Sequence, residues 1–529
     1  MRTLVALALV TALVVPGFVA AAPTDDSSHP TVVAVGPNPV ADGDVGEFVV
    51  VDAPPETNLS RYVLDDGEDR VRLPNRSVTG EVVLTTAPDR HRNRTDRPVF
   101  EVSLPDLSNA GETLRLRHRG EVVSVLRYED APEGELLRNG TWRPVGASDY
   151  PVVVGDAGTA RAFVLPDAPS VPLAPIRNAS ERVLLAGYTL TSERVERALV
   201  EAADRGATVK VLLEGDPVGG LSRRQGARLD ALVDGGIPVR VVTGDHARYE
   251  YHHAKYAVAD DRAVVLTENW KPSGTGGHSS RGWGVVVSDG AVVRGLARTF
   301  DEDFAWRAAT PWREYRRGRT FTPTNASRGE FPTRTAPSRV DYRNVSLLVA
   351  PDNAGSALAS RLRRSNESIR VVQMSVGGPD ERFLRAAVDA ARRGVDVRLL
   401  LSGAWYVREE NAALAERLEA LAEREGIPLS VRLAEPAGFE KVHAKGVVID
   451  DTVVLGSLNW NSAATTRNRE VLLALTGPEV AAYYRRVFDA DWRASAGKSG
   501  PTTVPLGVVG ALSVAAAGCL LAARRLEFD

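Results

Sequence analysis

The hydrophobic pattern between residues 30 and 130 is that of a β-rich segment. Short alternating or wholly apolar runs are separated by Gly, Pro, Asn and Asp, which favour turns. The runs cover residues 32–35, 47–51, 81–85, 99–104, 113–116 and 122–128. Strands of this length at this spacing predict a β-sandwich.

Between residues 150 and 495 apolar strands alternate with amphipathic helices, and the pattern occurs twice. A buried strand at 183–187 matches one at 371–375. The helices that follow both end at a glycine, Gly206 or Gly394, where a helix C-terminus favours one. Each half therefore has the order β-α-β-α-β-β.

This repeated order predicts an α/β fold. We expect two α/β sandwich repeats, at 150–307 and 344–495, joined by a linker at 308–343. Each repeat should have mostly parallel central strands, and the two should pack about a pseudo-twofold axis.

Both ends of the chain carry apolar stretches of another kind. Residues 1–22 combine a charged start, an apolar core and small residues, which is the pattern of an export signal. Residues 502–523 are long enough to cross a ~30 Å hydrocarbon core, and Arg524 and Arg525 follow. The sequence thus predicts a single-pass cell-membrane protein, anchored by a C-terminal transmembrane helix, with its repeats outside.

Composition is consistent with export. Eight Asn-x-Ser/Thr sequons are predicted glycan sites, at Asn58, Asn75, Asn93, Asn139, Asn178, Asn325, Asn344 and Asn366. The only cysteine is Cys519, which excludes a disulfide within one chain. The formal net charge of −3 gives no general argument for nucleic-acid binding.

One polar motif occurs in both repeats with an offset of 190 residues. It consists of His-x-Lys, four residues, Asp, and then a hydroxyl residue and an Asn. Only six lysines occur in 529 residues, and two of them stand in this motif. The two copies are His253, Lys255, Asp260, Thr267 and Asn269, and His443, Lys445, Asp450, Ser457 and Asn459.

The motif offers groups that suit a phosphate. Residues two apart in a strand share a face, so each His lies beside its Lys. Lys supplies charge, Asn and Ser supply hydrogen bonds, and one His can attack phosphorus while the other donates a proton. We interpret Asp260 and Asp450 as residues that hold turns.

The duplicated motif resembles that of the phospholipase D superfamily, over roughly residues 180–310 and 345–495. The resemblance implies cleavage or exchange of a phosphodiester through a phosphohistidine, without a metal or another cofactor. It implies His253 as the nucleophile and His443 as the acid. The residues expected in the site are His253, Lys255, Asn269, His443, Lys445, Ser457, Asn459 and Glu470.

The β-rich segment resembles a lamin-tail domain, an immunoglobulin-like module. The matching pieces lie at 38–39, 46–49, 58–66, 107–116 and 120–128. This resemblance implies a fold and an accessory or binding role, and such modules are found fused to exported nucleases and phosphoesterases.

The two motif copies differ downstream. Many members of the superfamily carry a Glu where the second repeat has Glu470, hydrogen-bonded to a catalytic imidazole. The first repeat has Gly282 in the corresponding stretch, so we expect no carboxylate there. A paired carboxylate should raise a histidine pKa, so the two histidines should titrate differently. The alternative for Glu470 is an ion pair with Arg467 that only supports the fold.

The substrate stays open at this point. Hydrolysis or transfer on phospholipid, an extracellular nuclease, and a non-catalytic cell-surface binding protein are all compatible with these residues. Arginines beside Trp312 and Tyr315 in the linker are compatible with binding to nucleic acid or lipid headgroups, or with a solvated linker. No obligate protein partner is inferred.

Overall fold

The computed structural model describes residues 28–39, 44–92, 95–244, 247–275, 279–323, 333–435 and 439–495. The predicted export signal at 1–22 and the predicted membrane span at 502–523 lie outside these ranges. Within them, no helix is both long and apolar enough to cross a membrane.

The N-terminal strands form two sheets that share one core. The elements are β1 (Thr31–Gly36), β2 (Phe48–Asn58), β3 (Tyr62–Asp65), β4 (Arg70–Arg72), β5 (Ser77–Thr85), α1 (Pro88–Arg92), β6 (Val99–Glu101), β7 (Gly111–His118), β8 (Glu121–Glu129), β9 (Glu135–Arg138) and β10 (Thr141–Pro144). One sheet has the order β10-β9-β1-β2-β5-β6, and the other has the order β4-β3-β7-β8. Val49, Val51, Leu114 and Leu116 are buried in the shared core, so the segment is a β-sandwich. It extends past residue 130 through β9 and β10. The immunoglobulin-like and lamin-tail assignments stay predictions.

The first repeat follows the sandwich. Its elements are β11 (Val153–Gly155), β12 (Gly158–Leu165), α2 (Leu173–Asn178), β13 (Arg182–Gly187), α3 (Glu193–Asp204), β14 (Thr208–Glu214), α4 (Arg223–Asp234), β15 (Val239–Val242), β16 (Tyr256–Ala259), β17 (Arg262–Leu266), β18 (Ser280–Val287), α5 (Gly290–Ala305), β19 (Ala309–Pro311) and α6 (Trp312–Tyr315).

The second repeat has a similar order, with β25 and α10 as additional elements. Its elements are β20 (Ser338–Tyr342), β21 (Asn344–Ala350), α7 (Ala354–Arg363), β22 (Ser368–Gln373), α8 (Arg382–Arg392), β23 (Asp396–Ser402), α9 (Arg408–Glu425), β24 (Leu429–Ala434), β25 (Lys441–Val442), β26 (Lys445–Ile449), β27 (Thr452–Gly456), α10 (Ser462–Thr466), β28 (Glu470–Thr476) and α11 (Pro478–Ala494).

The matched helices end where the sequence places their ends. Ser192 caps α3 by accepting a hydrogen bond from the Val195 amide, and Glu381 caps α8 in the same way. Gly206 and Gly394 follow these helices with φ of 96° and 95°, a left-handed conformation that a side chain disfavours. The two predicted helix ends are confirmed.

Each repeat has a mixed sheet, so the expectation of mostly parallel central strands is wrong. The sheets run β19-β15-β14-β13-β16-β17-β18-β12-β20, with β25 beside β18, and β11-β21-β28-β27-β26-β22-β23-β24. β13, β14 and β15 are parallel, whereas β16, β17 and β18 are antiparallel. The physical reason is the tight turn at Asp260 and Asp261, because strands joined by so short a turn must run antiparallel.

The repeats exchange edge strands. β11, which precedes the first repeat's sheet, pairs with β21 of the second repeat. β20, which precedes the second repeat's sheet, pairs with β12 of the first. Helices α5 and α11 contribute to one core that also takes side chains from both sheets. The reciprocal pairings agree with packing about a pseudo-twofold axis.

Much of the predicted linker belongs to the first repeat. β19 forms the edge of its sheet, and Trp312 is buried with its Nε1 donating to Asp230 at 2.8 Å. The neighbouring arginines pair with acids, as in Arg313–Asp234, Arg316–Asp230 and Arg319–Asp216. These contacts favour a structural role for the basic and aromatic cluster over a ligand-binding role.

Candidate active site

The two His-x-Lys segments lie at the same end of the strands in the two sheets. β16 and β26 run antiparallel to β13 and β22, so the motif histidines stand at the carboxyl ends of the parallel strands. The backbone of each repeat holds the histidine of the other. The His253 amide donates to the Arg469 carbonyl at 3.0 Å, and the His443 amide donates to the Arg281 carbonyl at 3.0 Å.

His253 is paired with Glu470 of the other repeat. Its Nδ1 lies 2.8 Å and 2.9 Å from the two carboxylate oxygens, and Glu470 is fully buried. The Tyr188 ring packs edge-on against the imidazole at 4.9 Å between centroids. Arg467 pairs with Glu250 instead, which removes the alternative ion pair for Glu470. Glu470 therefore engages Nδ1 of His253 in a hydrogen bond and leaves Nε2 available to react with a substrate.

His443 is paired with Glu268 of the first repeat, a residue that the sequence interpretation missed. Its Nδ1 lies 3.2 Å from Oε2 of Glu268, which is 2% exposed. The stretch around Gly282 has no carboxylate, as expected, but the first repeat supplies one from Glu268 in another segment. Glu268 stands between Thr267 and Asn269, so a comparison of neighbouring positions, beyond the aligned Gly282, would have found it.

Burial keeps both imidazoles neutral. It lowers the pKa of His253 to about 4, with help from Lys255 and Lys445 and against the effect of Glu470. Burial, Lys445 and Lys255 lower the pKa of His443 to about 3, against the effect of Glu268. The predicted rise of a paired histidine's pKa is wrong, because desolvation outweighs the carboxylate. Since each lysine acts on both histidines, the two motifs face one pocket.

The motif lysines are buried beside their histidines. Lys255 Nζ donates to the His253 carbonyl at 2.7 Å, and Lys445 Nζ donates to the His443 carbonyl at 2.8 Å. Lys445 Nζ also lies 3.0 Å from Nε2 of His443. Burial lowers the pKa of Lys255 well below its ordinary value. A bound anion at this place would favour the charged form of Lys255 and offset the burial of both lysines.

Glu268 interacts electrostatically with His443 and Lys445 in the site and also with Lys441 at its rim. Burial raises the pKa of its carboxyl, but His443, Lys445 and Lys441 more than offset this and lower it below its ordinary value. Lys441 stands two residues before His443 and lies 5.4 Å from the centroid of the Tyr406 ring. The neighbouring Trp405 is 66% exposed. A basic and aromatic edge thus lies next to His443.

The two motif asparagines are anchored alike. Each is followed by a buried tryptophan, and Trp270 Nε1 donates to the Ala186 carbonyl at 2.9 Å. The amide oxygens of Asn269 and Asn459 are both buried without a hydrogen-bond partner in the part of the chain that the structure describes. Both amide oxygens are therefore able to accept a hydrogen bond from a ligand.

Ser457 contacts the backbone of strand β28. Its Oγ accepts from the Val471 amide at 3.0 Å, and the side chain is fully buried. Thr267 makes the same contact with the Trp283 amide at 2.9 Å. The hydroxyl thus supports the strand that carries Glu470, while the predicted bond from Ser457 to phosphate stays untested.

Two buried arginines tie the repeats together beneath the histidines. Arg469 pairs with Asp303 of the first repeat at 2.9 Å and with Asp352 at 3.0 Å. Arg281 reproduces this arrangement with Asp491 of the second repeat and Asp167, at 2.9 Å and 3.0 Å. The same arginines supply the carbonyls that hold the histidine amides, so these ion pairs fix the relative placement of the two motifs.

The motif aspartates lie at the far ends of the motif strands and hold turns, as interpreted. Asp260 accepts from the amides of Ser180, Glu181 and Arg182. Asp450 accepts from those of Asn366, Glu367 and Ser368. Both have a left-handed backbone, with φ of 50° and 48°. No group of metal-ligating side chains occurs in the described ranges, and His246 and His278 lie outside them.

Each of the two repeats contributes a histidine and a lysine to this candidate site. The sequence profile described as "Cardiolipin synthase, PLD-like domain" matches residues 173–304 and 358–492, together more than half of the chain. The chain therefore belongs to this family. The family and the relatives below support a phospholipase D-like phosphodiesterase, a hydrolase.

Similar proteins match parts of the chain. A probable phospholipase D from Caenorhabditis elegans is 29% identical over 127 residues, 21% of this chain and 23% of that protein. A phospholipase D from Rickettsia bellii is 26% identical over 160 residues, 28% of this chain and 74% of that protein. A solved phosphatidylserine synthase from Haemophilus influenzae has a TM-score of 0.49 and 15% identity, covering 66% of this chain and 89% of that one.

Proposed function

We propose that the protein is a phospholipase D-like phosphodiesterase that hydrolyses or exchanges phospholipid through a phosphohistidine. The observation that carries the proposal is the reciprocal pairing of the histidines. Each imidazole has its Nδ1 against a buried carboxylate of the opposite repeat, and each has a buried lysine beside it. Such a pair can supply a nucleophile and an acid to one phosphorus atom.

The reaction takes two steps. The negative charges of Glu268 and the bound phosphate favour the imidazolium form of His443, which carries a proton on both nitrogens. Nε2 of His253 attacks phosphorus and forms a P–N bond, while the ester oxygen leaves and takes the Nε2 proton of this imidazolium, which becomes neutral. His443 then accepts a proton from water, or from an alcohol in the exchange reaction, as that oxygen attacks phosphorus and the P–N bond breaks. Lys255, Lys445 and the two motif asparagines stabilise the charge on the phosphoryl oxygens.

A phospholipid substrate is supported by the family and by the rim of the pocket. The family is described by reference to cardiolipin synthase, and the two relatives are named as phospholipases D. Trp405 is the most exposed of the large hydrophobic residues in the described ranges. It packs against Tyr406, and the Tyr406 ring in turn contacts Lys441. Tryptophan and lysine favour the boundary between lipid headgroups and acyl chains.

We also propose that the chain is exported and anchored by residues 502–523, with the repeats outside the cell. Support comes from the apolar stretches, the flanking arginines and the sequons alone. Protease added to intact cells is expected to release a fragment that contains His253 and His443. Full protection of that fragment would contradict the proposed topology.

The substrate is tested with the purified full-length protein in the presence of a chelator. The substrates are vesicles of phosphatidylcholine and cardiolipin, single-stranded DNA, and bis-p-nitrophenyl phosphate, with His253→Asn as the control. We expect release of phosphatidic acid from the vesicles, or transfer to an added primary alcohol, and no turnover by the control. Cleavage of DNA alone would replace the lipid proposal with a nuclease. No turnover of any substrate would indicate a binding protein.

The Trp405→Ala variant tests whether the protein acts on phospholipid at a bilayer surface. This variant should lose about tenfold or more of the activity on vesicles, by weaker contact with the bilayer surface. Its activity on bis-p-nitrophenyl phosphate should match the wild type, because that substrate is soluble. If the variant were as active as the wild type on vesicles, Trp405 would not contribute to lipid binding.

A further inference from the structure

The two repeats place their carboxylates at different positions. Leu266 of β17 lies opposite Gly284 of β18, and Gly456 of β27 lies opposite Leu472 of β28. Two residues after Leu266 and Gly456 stand Glu268 and Leu458, so these two positions correspond. Two residues before Gly284 and Leu472 stand Gly282 and Glu470, which correspond in the same way. The second repeat therefore has Leu and Glu where the first has Glu and Gly.

These two differences depend on each other through space. A Cβ atom added at Gly282 would lie 2.2 Å from Cγ of Glu268 and 2.9 Å from its Oε1. The side chain of Glu268 thus occupies the volume that any side chain at position 282 would need. Glycine at 282 makes room for the carboxylate at 268.

The contacts of His443 define its tautomer. Its Nε2 lies 3.0 Å from Lys445 Nζ, and an ammonium group can only donate. A neutral imidazole has one hydrogen, which must then be on Nδ1, 3.2 Å from Glu268. Glu470 accepts a hydrogen bond from Nδ1 of His253 at 2.8 Å, whereas Glu268 makes an ion-pair contact with Nδ1 of His443.

We infer that Glu268 is the positioning residue of His443, and that it performs from a different place in the repeat the task that Glu470 performs for His253. It holds the Nδ1–H tautomer and directs Nε2 to the phosphate. This inference deepens the proposed function and rests on it for its kinetic consequences. The pairing of Glu268 with His443 can also be tested without activity.

The kinetic test uses Glu268→Gln in the full-length protein, with bis-p-nitrophenyl phosphate and phospholipid as substrates. Loss of the charge should lower kcat by about 10²-fold or more and shift one limb of the pH–rate profile, with little change in KM. Glu381→Gln is the matched control, because Glu381 is a buried carboxylate that caps α8. It should leave the pH–rate profile unchanged. A wild-type profile for Glu268→Gln would overturn the inference.

The decisive variant moves the carboxylate. Glu268→Leu/Gly282→Glu gives the first repeat the residues of the second, Leu458 and Glu470. We expect Glu268→Leu to lose at least as much kcat as Glu268→Gln, and the double variant to recover at least tenfold. A folded double variant no better than Glu268→Leu would contradict the assignment.

A spectroscopic readout separates this inference from the proposed function. In protein labelled with ¹⁵N-histidine, the signals that disappear in His443→Asn report the tautomer of His443. Glu268→Leu should shift the Nδ1 signal away from its wild-type value, and Glu381→Gln should not. An unshifted signal would overturn the pairing. A shifted signal in a protein inactive on every substrate would keep the pairing and refute the proposed function.

Discussion

The first and second repeats share a fold but support their partner's histidine by different routes. The second repeat uses Glu470, the first residue of strand β28, whereas the first uses Glu268 in the segment after β17. Both carboxylates are buried, and both reach the Nδ1 atom of the histidine across the interface. The requirement is therefore for a carboxylate at one point in space, and two neighbouring backbone positions satisfy it.

The features that the two repeats share show what is needed to hold the two histidines together. Both repeats retain a buried arginine whose carbonyl accepts from the opposite histidine amide, namely Arg469 for His253 and Arg281 for His443. Both exchange an edge strand with the other repeat. Since each histidine depends on its partner repeat for its backbone and its side-chain contacts, neither repeat is expected to hold its histidine alone.

The largest expected effect is the loss of either histidine. His253→Asn and His443→Asn should each lower kcat on phospholipid by at least about 10⁴-fold, because a single imidazole cannot supply both the nucleophile and the acid. Steady-state assays of the two variants measure this. Near-wild-type activity in either variant would contradict a shared site.

The same variants distinguish the roles of the two repeats. p-Nitrophenolate leaves without protonation, so His443→Asn should still give a stoichiometric burst with bis-p-nitrophenyl phosphate if His253 is the nucleophile. His253→Asn should give no burst. The reverse pattern would assign the nucleophile to the second repeat.

The next largest effect concerns the buried arginines that join the repeats. Arg469→Met leaves Asp303 and Asp352 buried without their cation, and it should lower the free energy of unfolding by about 3–5 kcal/mol. Arg281→Met should have a similar effect. Arg313→Met is the control, since its ion pair with Asp234 is exposed and contributes about 0–1 kcal/mol. Urea denaturation measures all three, and a loss no larger than that of the control would contradict the structural role.

Much of the geometry of the candidate site could be predicted from the sequence, and the exceptions have physical causes. The offset of 190 residues located both motif strands, and the turn-holding role of Asp260 and Asp450 is confirmed. Glu268 was missed because alignment compares one position at a time, whereas a carboxylate can reach the same point from an adjacent strand. The strand exchange was missed because β11 is a three-residue strand with no measurable periodicity.

The histidine pKa values were also predicted in the wrong direction. Sequence gives the identity of a charged partner but not the depth of burial. Glu470 raises the pKa of His253, yet the desolvation of a side chain only 10% exposed is the larger effect. Burial results from the packing of both repeats around the site, which a single motif does not report.

A smaller effect tests whether the two carboxylates are equivalent. Glu470→Gln should lower kcat by about 10²–10³-fold and leave the melting temperature nearly unchanged, because Gln keeps the shape and a hydrogen-bonding oxygen. Kinetics and thermal denaturation measure the two quantities. A lower melting temperature with an unchanged pH–rate profile would show that Glu470 only supports the fold, and a far smaller loss than in Glu268→Gln would break the equivalence.

The smallest expected effect is on the pH dependence of stability. Burial lowers the pKa of His253 to about 4 and that of His443 to about 3, from 6.5. Below pH 6.5 the unfolded chain therefore binds protons that the folded protein excludes. The stabilisation is complete above pH 6.5 and is lost as the pH falls towards 4, with a slope of up to about 1.4 kcal/mol per pH unit for each histidine. Urea unfolding between pH 6.5 and 4.5 should show a shallower slope in His253→Asn and in His443→Asn than in the wild type. Equal reductions would mean that both repeats hold a neutral imidazole to the same degree, whereas an unchanged slope in one variant would show that its histidine is not kept neutral by burial.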